Sequence, residues 1–463
     1  MQSMMPTSIE IIKILRKAGH QAYWAGGCVR DILLSIKPKD YDIVTSAKPE
    51  EIEALLEKTI PIGKEFGVIL AIQDGHHFEV ATFRSDSGYS DGRRPDAVTF
   101  TNAEEDAKRR DFTINGMFYD PIEDKILDYI GGQKDLEARL IRFIGDPHER
   151  ILEDHLRILR AIRFKNQFNF QYEPKTYTAL HQHSKIVIDK VAKERIASEL
   201  DKILLSEHPT EALEDMEDLG VMEVLLPELQ AMKGLAQPYK YHTEGDVWDH
   251  ALLSLKSLSS GASLAVRMAT LLHDVGKTLT FSVAERIRFD HHAQKSGELA
   301  KKILTRLHYP RKFIDEIVWL VTHHMMLVEL LKMPEGKKRK WFLHPWFLNL
   351  MQVCEADASG TIPGNDSLVQ QVLKEYRRCL KEMPRPPKPL LTGEDIMKIL
   401  EIKPGKKVGT ILDEMHELQL ETKLKTKSEA TDWLKENFSG KKSPDESKIK
   451  FTKRITKKSR QKK

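Results

Sequence analysis

Two hydrophobic periods alternate along the first 140 residues. Apolar positions in 9–17 recur at helical spacing, while 22–24, 40–44, 68–72, 78–83 and 125–129 fit short strands and 29–36 returns to helix. This mixture predicts a small α+β domain. From Pro147 onward the strand signal nearly vanishes, and 151–164, 193–205 and 210–219 carry apolar residues at helical spacing. Within 151–164, Leu152, Leu156, Leu159 and Ile162 fall at core spacing, and Asp154, Arg157, Arg160 and Arg163 step by three onto another face. Pro384, Pro386, Pro387 and Pro389 mark a linker before a last helical piece that ends near Phe438. The expected organisation is a head over 1–140, a helical neck and body over 141–236, a second helical domain over 237–380, a C-terminal helical domain over 381–438, and a tail over 439–463.

Composition narrows the function classes. The chain has 463 residues, of which 31% are charged, and no apolar run reaches the roughly 18 residues of a membrane span. The best candidate, 313–333, is interrupted by Asp315, Glu316, His323, His324 and Glu329. No basic segment followed by an apolar one opens the chain, so no secretory signal is expected. Cys28, Cys354 and Cys379 are too few and too scattered for a disulfide framework, which fits a reducing cytoplasm. The net charge of +4 is misleading, because 437–463 holds eleven Lys/Arg against two Asp/Glu and leaves the rest slightly acidic. The tail reads as a disordered basic arm, either a nucleic-acid tether or a solubilising end.

Chemistry concentrates first in Gly26-Gly27-Cys28-Val29-Arg30-Asp31 and Asp40-Tyr41-Asp42. Residues i and i+2 of a strand share a face, so Asp40 and Asp42 can converge as hard oxygen ligands suited to Mg²⁺. A glycine turn opening into a helix leaves N–H groups for phosphate oxygens, and Arg30 adds a fixed positive charge. Arg109-Arg110-Asp111 supplies cations and a carboxylate for phosphate and ribose. A lone DxD or Gly-Gly is common in capped helices and solvated turns; their joint occurrence points to metal-assisted nucleotidyl transfer.

The strings GGCVRD, DYDIVT and RRDFTIN resemble the head motifs of class II tRNA nucleotidyltransferases and bacterial poly(A) polymerases. These belong to the DNA polymerase beta-like superfamily, and the resemblance runs from about residue 8 to about 436. It implies a nucleotidyltransferase head followed by an elongated all-α neck, body and HD domain, most like the bacterial CCA-adding enzymes that carry one. It further implies Mg²⁺ on Asp40 and Asp42, a third acidic group at Glu79, and nucleotide contacts from Gly26, Gly27, Arg30, Arg110 and Asp111. Glu153-Asp154-His155-Leu156-Arg157 matches the family's EDxxR motif. Cytosine and adenine both present an exocyclic amine beside a ring-nitrogen acceptor, so a carboxylate and an arginine can read either without a template. Uracil and guanine would leave such groups unpaired, which can discriminate about 10⁴-fold. The resemblance gives that reading to Asp154 and Arg157, assigns Arg160 and Arg163 to holding the nucleotide, and makes the motif containing Glu194, Arg195 and Glu199 scaffolding. The implied partners are tRNA, CTP and ATP.

The resemblance implies that the short polar loop 84–96 favours complete CCA addition, with an A-only enzyme or a poly(A) polymerase left as alternatives. In 237–380, His250, His273-Asp274 and Asp357 resemble the metal-dependent HD phosphohydrolases, which implies an unidentified divalent metal. His292 and His324 match positions for a second metal or a phosphate. The rival reading makes this the only enzyme and the head a degenerate RNA-binding module. The basic strings 337–340 and 403–409 are either RNA contacts or ordinary surface and capping.

Overall fold

The computed structural model describes residues 4–88, 96–188, 190–239 and 242–438. The tail and most of the polar loop lie outside the described residues. Contacts divide the chain into two compact units, one holding residues up to 324 with 352–365, the other 325–351 with those from 366 onward.

Among the described residues the head has nine strands: β1 (Ala22–Ala25), β2 (Asp42–Thr45), β3 (Thr59–Gly63), β4 (Val68–Gln73), β5 (His76–Thr82), β6 (Arg84–Ser87), β7 (Ala97–Phe100), β8 (Phe118–Asp120) and β9 (Lys125–Leu127). Seven form one sheet in the order β3-β4-β5-β2-β1-β8-β9, and β6 pairs with β7 as a separate hairpin. β1 is an interior strand, most of whose residues are buried: Trp24 is fully covered and donates its indole N–H to Ser8 Oγ at 3.0 Å. The helix Met4–Lys17 packs Ile11, Ile12 and Leu15 into the same core. Antiparallel register sets Ala25 opposite Asp42, and the parallel pairing of β2 with β5 sets Ile43 beside Val80. These two registers bring the glycine turn, the DxD pair and Glu79 to one end of the sheet. Asp40 itself precedes β2, so the pair sits at the strand entrance rather than within the strand.

The periodicity of 151–164 predicts one helix; the structure has two, Pro147–Glu153 and Arg157–Phe168. Asp154 is extended, with φ −148° and ψ 103°, and its carboxylate accepts from Leu156 N at 3.1 Å. A carboxylate that captures a backbone N–H two residues on competes with helical pairing, which explains the break. The break turns Leu152 outward, 51% exposed, while Leu156, Leu159 and Ile162 stay buried. Asp154 therefore does not share a helical face with Arg157, Arg160 and Arg163.

The helices Val247–Ser257, Leu264–Leu272, His292–Arg306, Arg311–His323 and Phe347–Gly360 follow, with one two-stranded ribbon pairing Phe281–Val283 with Ile287–Phe289. In the second unit Leu391, Ile396, Val408, Ile411 and Leu434 belong to one core. The basic string 337–340 lies on the helix Glu335–Phe342. Three of its cations are spoken for: Lys338 by Glu375, Arg339 by Glu335 and Glu382, and Lys340 by Asp413.

Candidate active site

A cavity of 590 Å³ opens where the head meets the neck, a size that suits a nucleotide. Gly26, Gly27, Arg30, Asp40, Asp42, Arg110, Asp111, Asp154, Arg157, Arg160 and Arg163 all line it. Glu79 is not among the lining residues; it stands on the neighbouring strand, close enough for its charge to act on Asp42. Gly26 has φ +71°, and a Cβ there would lie 3.2 Å from an Arg110 terminal nitrogen. Glycine thus allows both the left-handed turn and the close approach of Arg110.

The cations are oriented by carboxylates behind them. Arg110 donates to Asp106 Oδ2 from Nε at 3.2 Å and Nη2 at 3.1 Å, and Arg109 holds the other oxygen of the same buried carboxylate. Arg30 is nearly buried, donates to Asn115 Oδ1 at 2.6 Å and to Asp31, and lies over the Phe168 ring at 4.5 Å. Arg160 grips Asp111 Oδ2 at 2.9 and 2.5 Å. Arg163 is paired with Glu199 at 2.6 Å, and Arg157 with Glu153 at 2.5 Å and the Arg150 carbonyl at 2.7 Å.

Two carboxylates diverge electrostatically. Burial, reinforced by Asp40 and Glu79, pushes Asp42 up to about 6 despite Arg110. Asp40 and Glu79 thus act electrostatically on Asp42, and carboxylate oxygens are the donors that a hard divalent ion takes. Burial also works against the charge of Asp111, but Arg160 outweighs it and holds that group at about 2. Asp111 is thus a permanent anion fixed between head and neck.

A second cluster lies among the helices. His250 Nε2 is 3.2 Å from His273 Nε2 and 3.1 Å from Asp357 Oδ1, and His273 Nε2 is 3.3 Å from Asp274 Oδ2. On the other side of Asp274, its Oδ1 faces His292 Nε2 at 3.3 Å and His324 Nε2 at 3.8 Å. That Oδ1 is buried without a hydrogen-bond partner. Ligands about 2.1 Å from a common ion stand about 3.0–3.5 Å apart, so these separations fit a metal on each side of Asp274. Burial, with the nearby His273, pushes His324 down to about 4, keeping a neutral imidazole available as a ligand. Lys277 Nζ reaches Asp274 Oδ2 at 2.6 Å and supplies a further positive charge.

Comparison with known proteins gives the family. The chain matches the family model for the poly A polymerase head domain over 22–142, that for the "probable RNA and SrmB-binding site of polymerase A" over 169–233, and that for tRNA nucleotidyltransferase domain 2 over 289–434. It is 30% identical to the CCA-adding enzyme of Ligilactobacillus salivarius, covering 88% of this chain and 90% of that one. It is also 30% identical to the CCA-adding enzyme of Bacillus subtilis, over 94% and 99% of the respective chains. The chain belongs to the CCA-adding enzyme family. A solved member, the Bacillus stearothermophilus CCA-adding enzyme in complex with CTP, superposes with a TM-score of 0.67 at 25% identity over 98% of this chain and all of that one.

Membership makes the chain a nucleotidyltransferase and bears out the head and helical body expected from its motifs. Enzymes of this family are generally dependent on divalent metal. No described helix is long and apolar enough to cross a membrane. What the motifs understated is the family's supporting layer. Arg195, read as scaffolding, lines the cavity and donates to Asp154 at 2.8 and 3.2 Å. Glu199, one helical turn further on, anchors Arg163. Their i, i+4 spacing puts both on one helix face, which was the available signal.

Proposed function

We propose that the chain adds or repairs the 3′-terminal CCA of tRNA from CTP and ATP without a nucleic-acid template. The observation that carries this is the single cavity joining Asp40 and Asp42 of the head to Asp154 and Arg157 of the neck. In it the reacting phosphates and the base are handled by separate groups. The names of the relatives, the CTP held by the Bacillus stearothermophilus enzyme and the tRNA nucleotidyltransferase domain over 289–434 support the same substrates.

In this reading Asp40 and Asp42, with Glu79 beside them, hold Mg²⁺. The ion supplies charge neutralisation for the triphosphate and activation of the attacking hydroxyl. The turn at Gly26-Gly27 and the Arg30 and Arg110 guanidinium groups orient the phosphates. The terminal ribose hydroxyl of the RNA attacks the α-phosphorus, and pyrophosphate leaves. Asp111, braced by Arg160, accepts from a ribose hydroxyl of the incoming nucleotide. Asp154 accepts from the exocyclic amine of C or A, and Arg157 donates to the ring nitrogen. Each keeps hydrogen-bonding capacity beyond its present partner, since a carboxylate offers about four acceptor sites and a guanidinium five donors. Arg163, which lines the same cavity, helps to hold the nucleotide.

The histidine–aspartate cluster holds a divalent metal through His250, His273, Asp274 and Asp357, with His292 and His324 serving a second position. Phosphohydrolysis of an RNA end, such as a 2′,3′-cyclic phosphate, fits that donor set. The head spans 1–140, the neck and body 141–236, the HD-like domain 237–380 and the C-terminal domain 381–438. The protein acts in the cytoplasm.

The test uses purified protein, Mg²⁺ and three tRNAs ending before CCA, after C and after CC, each given CTP, ATP or both, with sequencing of the product ends. CCA on the first substrate followed by a stop is expected. Addition to the CC end alone, long A tracts, or addition retained in Asp40→Ala/Asp42→Ala would each sink the proposal.

A further inference from the structure

Each imidazole of the histidine–aspartate cluster turns Nε2 inward, so what holds its Nδ1 decides its usefulness as a ligand. His273, His292 and His324 rest Nδ1 on backbone carbonyls, those of Thr270 at 2.7 Å, Phe289 at 2.9 Å and Val321 at 2.7 Å. A carbonyl only accepts, so these three carry a proton on Nδ1, and in their neutral form Nε2 is the bare nitrogen. His250 is the exception. Its Nδ1 is buried and makes no aligned hydrogen bond; the carboxylate oxygen beside it is Glu244 Oε1, 3.3 Å away.

Glu244 is itself a placed group. Its side chain is fully buried, its Oε1 also meets His242 Nδ1 at 2.6 Å, and its Oε2 accepts from Ile362 N at 2.9 Å. Thr243 adds a second tie to the same residue, its N–H donating to the Ile362 carbonyl at 3.0 Å. Ile362 lies just beyond the helix that carries Asp357, and Thr361 N bonds back to the Asp357 carbonyl at 3.1 Å. One carboxylate therefore touches the ring of one proposed ligand and the chain end of another, residues separated by more than a hundred positions in sequence.

We propose that Glu244 is a positioning residue of this centre: it fixes His250 as the Nδ1–H tautomer and ties the His250 helix to the segment bearing Asp357. The inference rests on the reading of the cluster as a metal site. A carboxylate only accepts, so it can do for His250 what backbone carbonyls do for the other three histidines. A glutamine in its place cannot serve every neighbour. If its oxygen faces Ile362 N, its amide donates toward both imidazoles, and His250 is driven to the Nε2–H tautomer that blocks the metal. If it turns over, the Ile362 amide loses its acceptor. Substitution by Gln keeps the volume while it replaces one acceptor by a donor and removes the negative charge.

The experiment uses the full chain carrying Asp40→Ala and Asp42→Ala, so that the head does not compete for metal, after chelator treatment. Zn²⁺ and Mn²⁺ are titrated separately by calorimetry, and the tighter binder serves as probe. Adding Glu244→Gln is expected to weaken that affinity about 10–100-fold. The melting temperature of the stripped protein is expected to hold, while its rise on adding metal shrinks. Unchanged affinity in Glu244→Gln, with binding that is lost in His273→Ala, overturns the role of Glu244 while leaving the metal site standing. An equal fall in the stripped protein's melting temperature, with affinity retained, makes Glu244 a packing residue and also overturns it. No binding in the parent protein removes the metal site itself and this inference with it.

Discussion

Arg195 holds Asp154 through both carboxylate oxygens, at 2.8 and 3.2 Å, across 41 residues of sequence. The carboxylate proposed to read the base sits at a helix break, on a residue with no helical ladder to fix it. Arg195 supplies the missing constraint. Replacing Arg195 by Ala is expected to lower kcat/KM for CTP by about 10-fold or more, the cost of losing a charged hydrogen bond of about 1.5–3 kcal/mol. It should also raise incorporation of U relative to C, because the freed carboxylate no longer meets one edge. Single-nucleotide kinetics with CTP and UTP on tRNA ending before CCA check both. Unaltered selectivity would mean that Asp154 is positioned by something else.

Asp42 gives the head a pH signature. Its carboxyl is raised to about 6 by burial and by Asp40 and Glu79, so protonation favours the metal-free fold. That contribution is fully present below about pH 4 and is lost as pH rises through 6, amounting to about 3 kcal/mol. Metal-free protein should therefore lose stability between pH 4 and pH 7, and Asp42→Asn should flatten part of that slope. Mg²⁺ should raise the melting temperature at pH 7.5 and do little at pH 4.5, where the proton occupies the carboxylate. Scans at both pH values, with and without Mg²⁺, measure the difference directly.

How much of this was legible before the structure depended on whether a residue acts within its own element or against a distant one. The glycine turn, the DxD pair and the adjacent His273-Asp274 are dense local patterns, and the structure brings His250 and Asp357, distant in sequence, to that last pair. The break at Asp154 was not visible, because apolar residues at 152, 156, 159 and 162 keep a helical period straight through it. Only the local capture of Leu156 N and the distant Arg195 distinguish it from a continuous helix. β3 escaped notice as an edge strand with Ile60 and Ile62 half exposed, and β8 because three residues show no period. Glu244 carried no sequence signal at all; its importance arises from Ile362 and His250 meeting it in space.

Glu199 is a test of stability rather than of chemistry. It is almost wholly buried, with Arg163 on one oxygen at 2.6 Å and Lys202 on the other at 2.9 Å. Removing one member of a buried pair strands the other, which costs about 3–5 kcal/mol. Glu199→Ala should therefore destabilise the neck strongly, whereas replacing Glu199 and Arg163 together by Leu and Met should cost clearly less. Urea unfolding of the three proteins decides this. A double variant as weak as the single one would show that packing, not the stranded charge, sets the cost.

Asp111 and Arg160 form the joint between head and neck, and the pair makes a prediction that separates binding from catalysis. Burial would raise the Asp111 carboxyl; Arg160 instead keeps it at about 2, charged at any working pH. If Asp111 receives a ribose hydroxyl, its orientation matters both in the ground state and as the phosphate is transferred. Arg160→Gln removes the charge but retains a donor for Oδ2, so Asp111 should stay in place while its hold weakens. KM for ATP and CTP should rise about 10-fold, in line with about 1.4 kcal/mol of lost positioning, with kcat reduced less. Asp111→Asn turns one acceptor into a donor facing the Arg160 guanidinium, so it should lower kcat and kcat/KM together. Deoxyribonucleotide substrates distinguish the two roles. If Asp111 reads the ribose, dATP and dCTP should already be poor in the parent enzyme and should lose little more in Asp111→Asn. An equal loss for ribo- and deoxyribonucleotides would instead mean that the Asp111–Arg160 pair serves only to lock the head onto the neck.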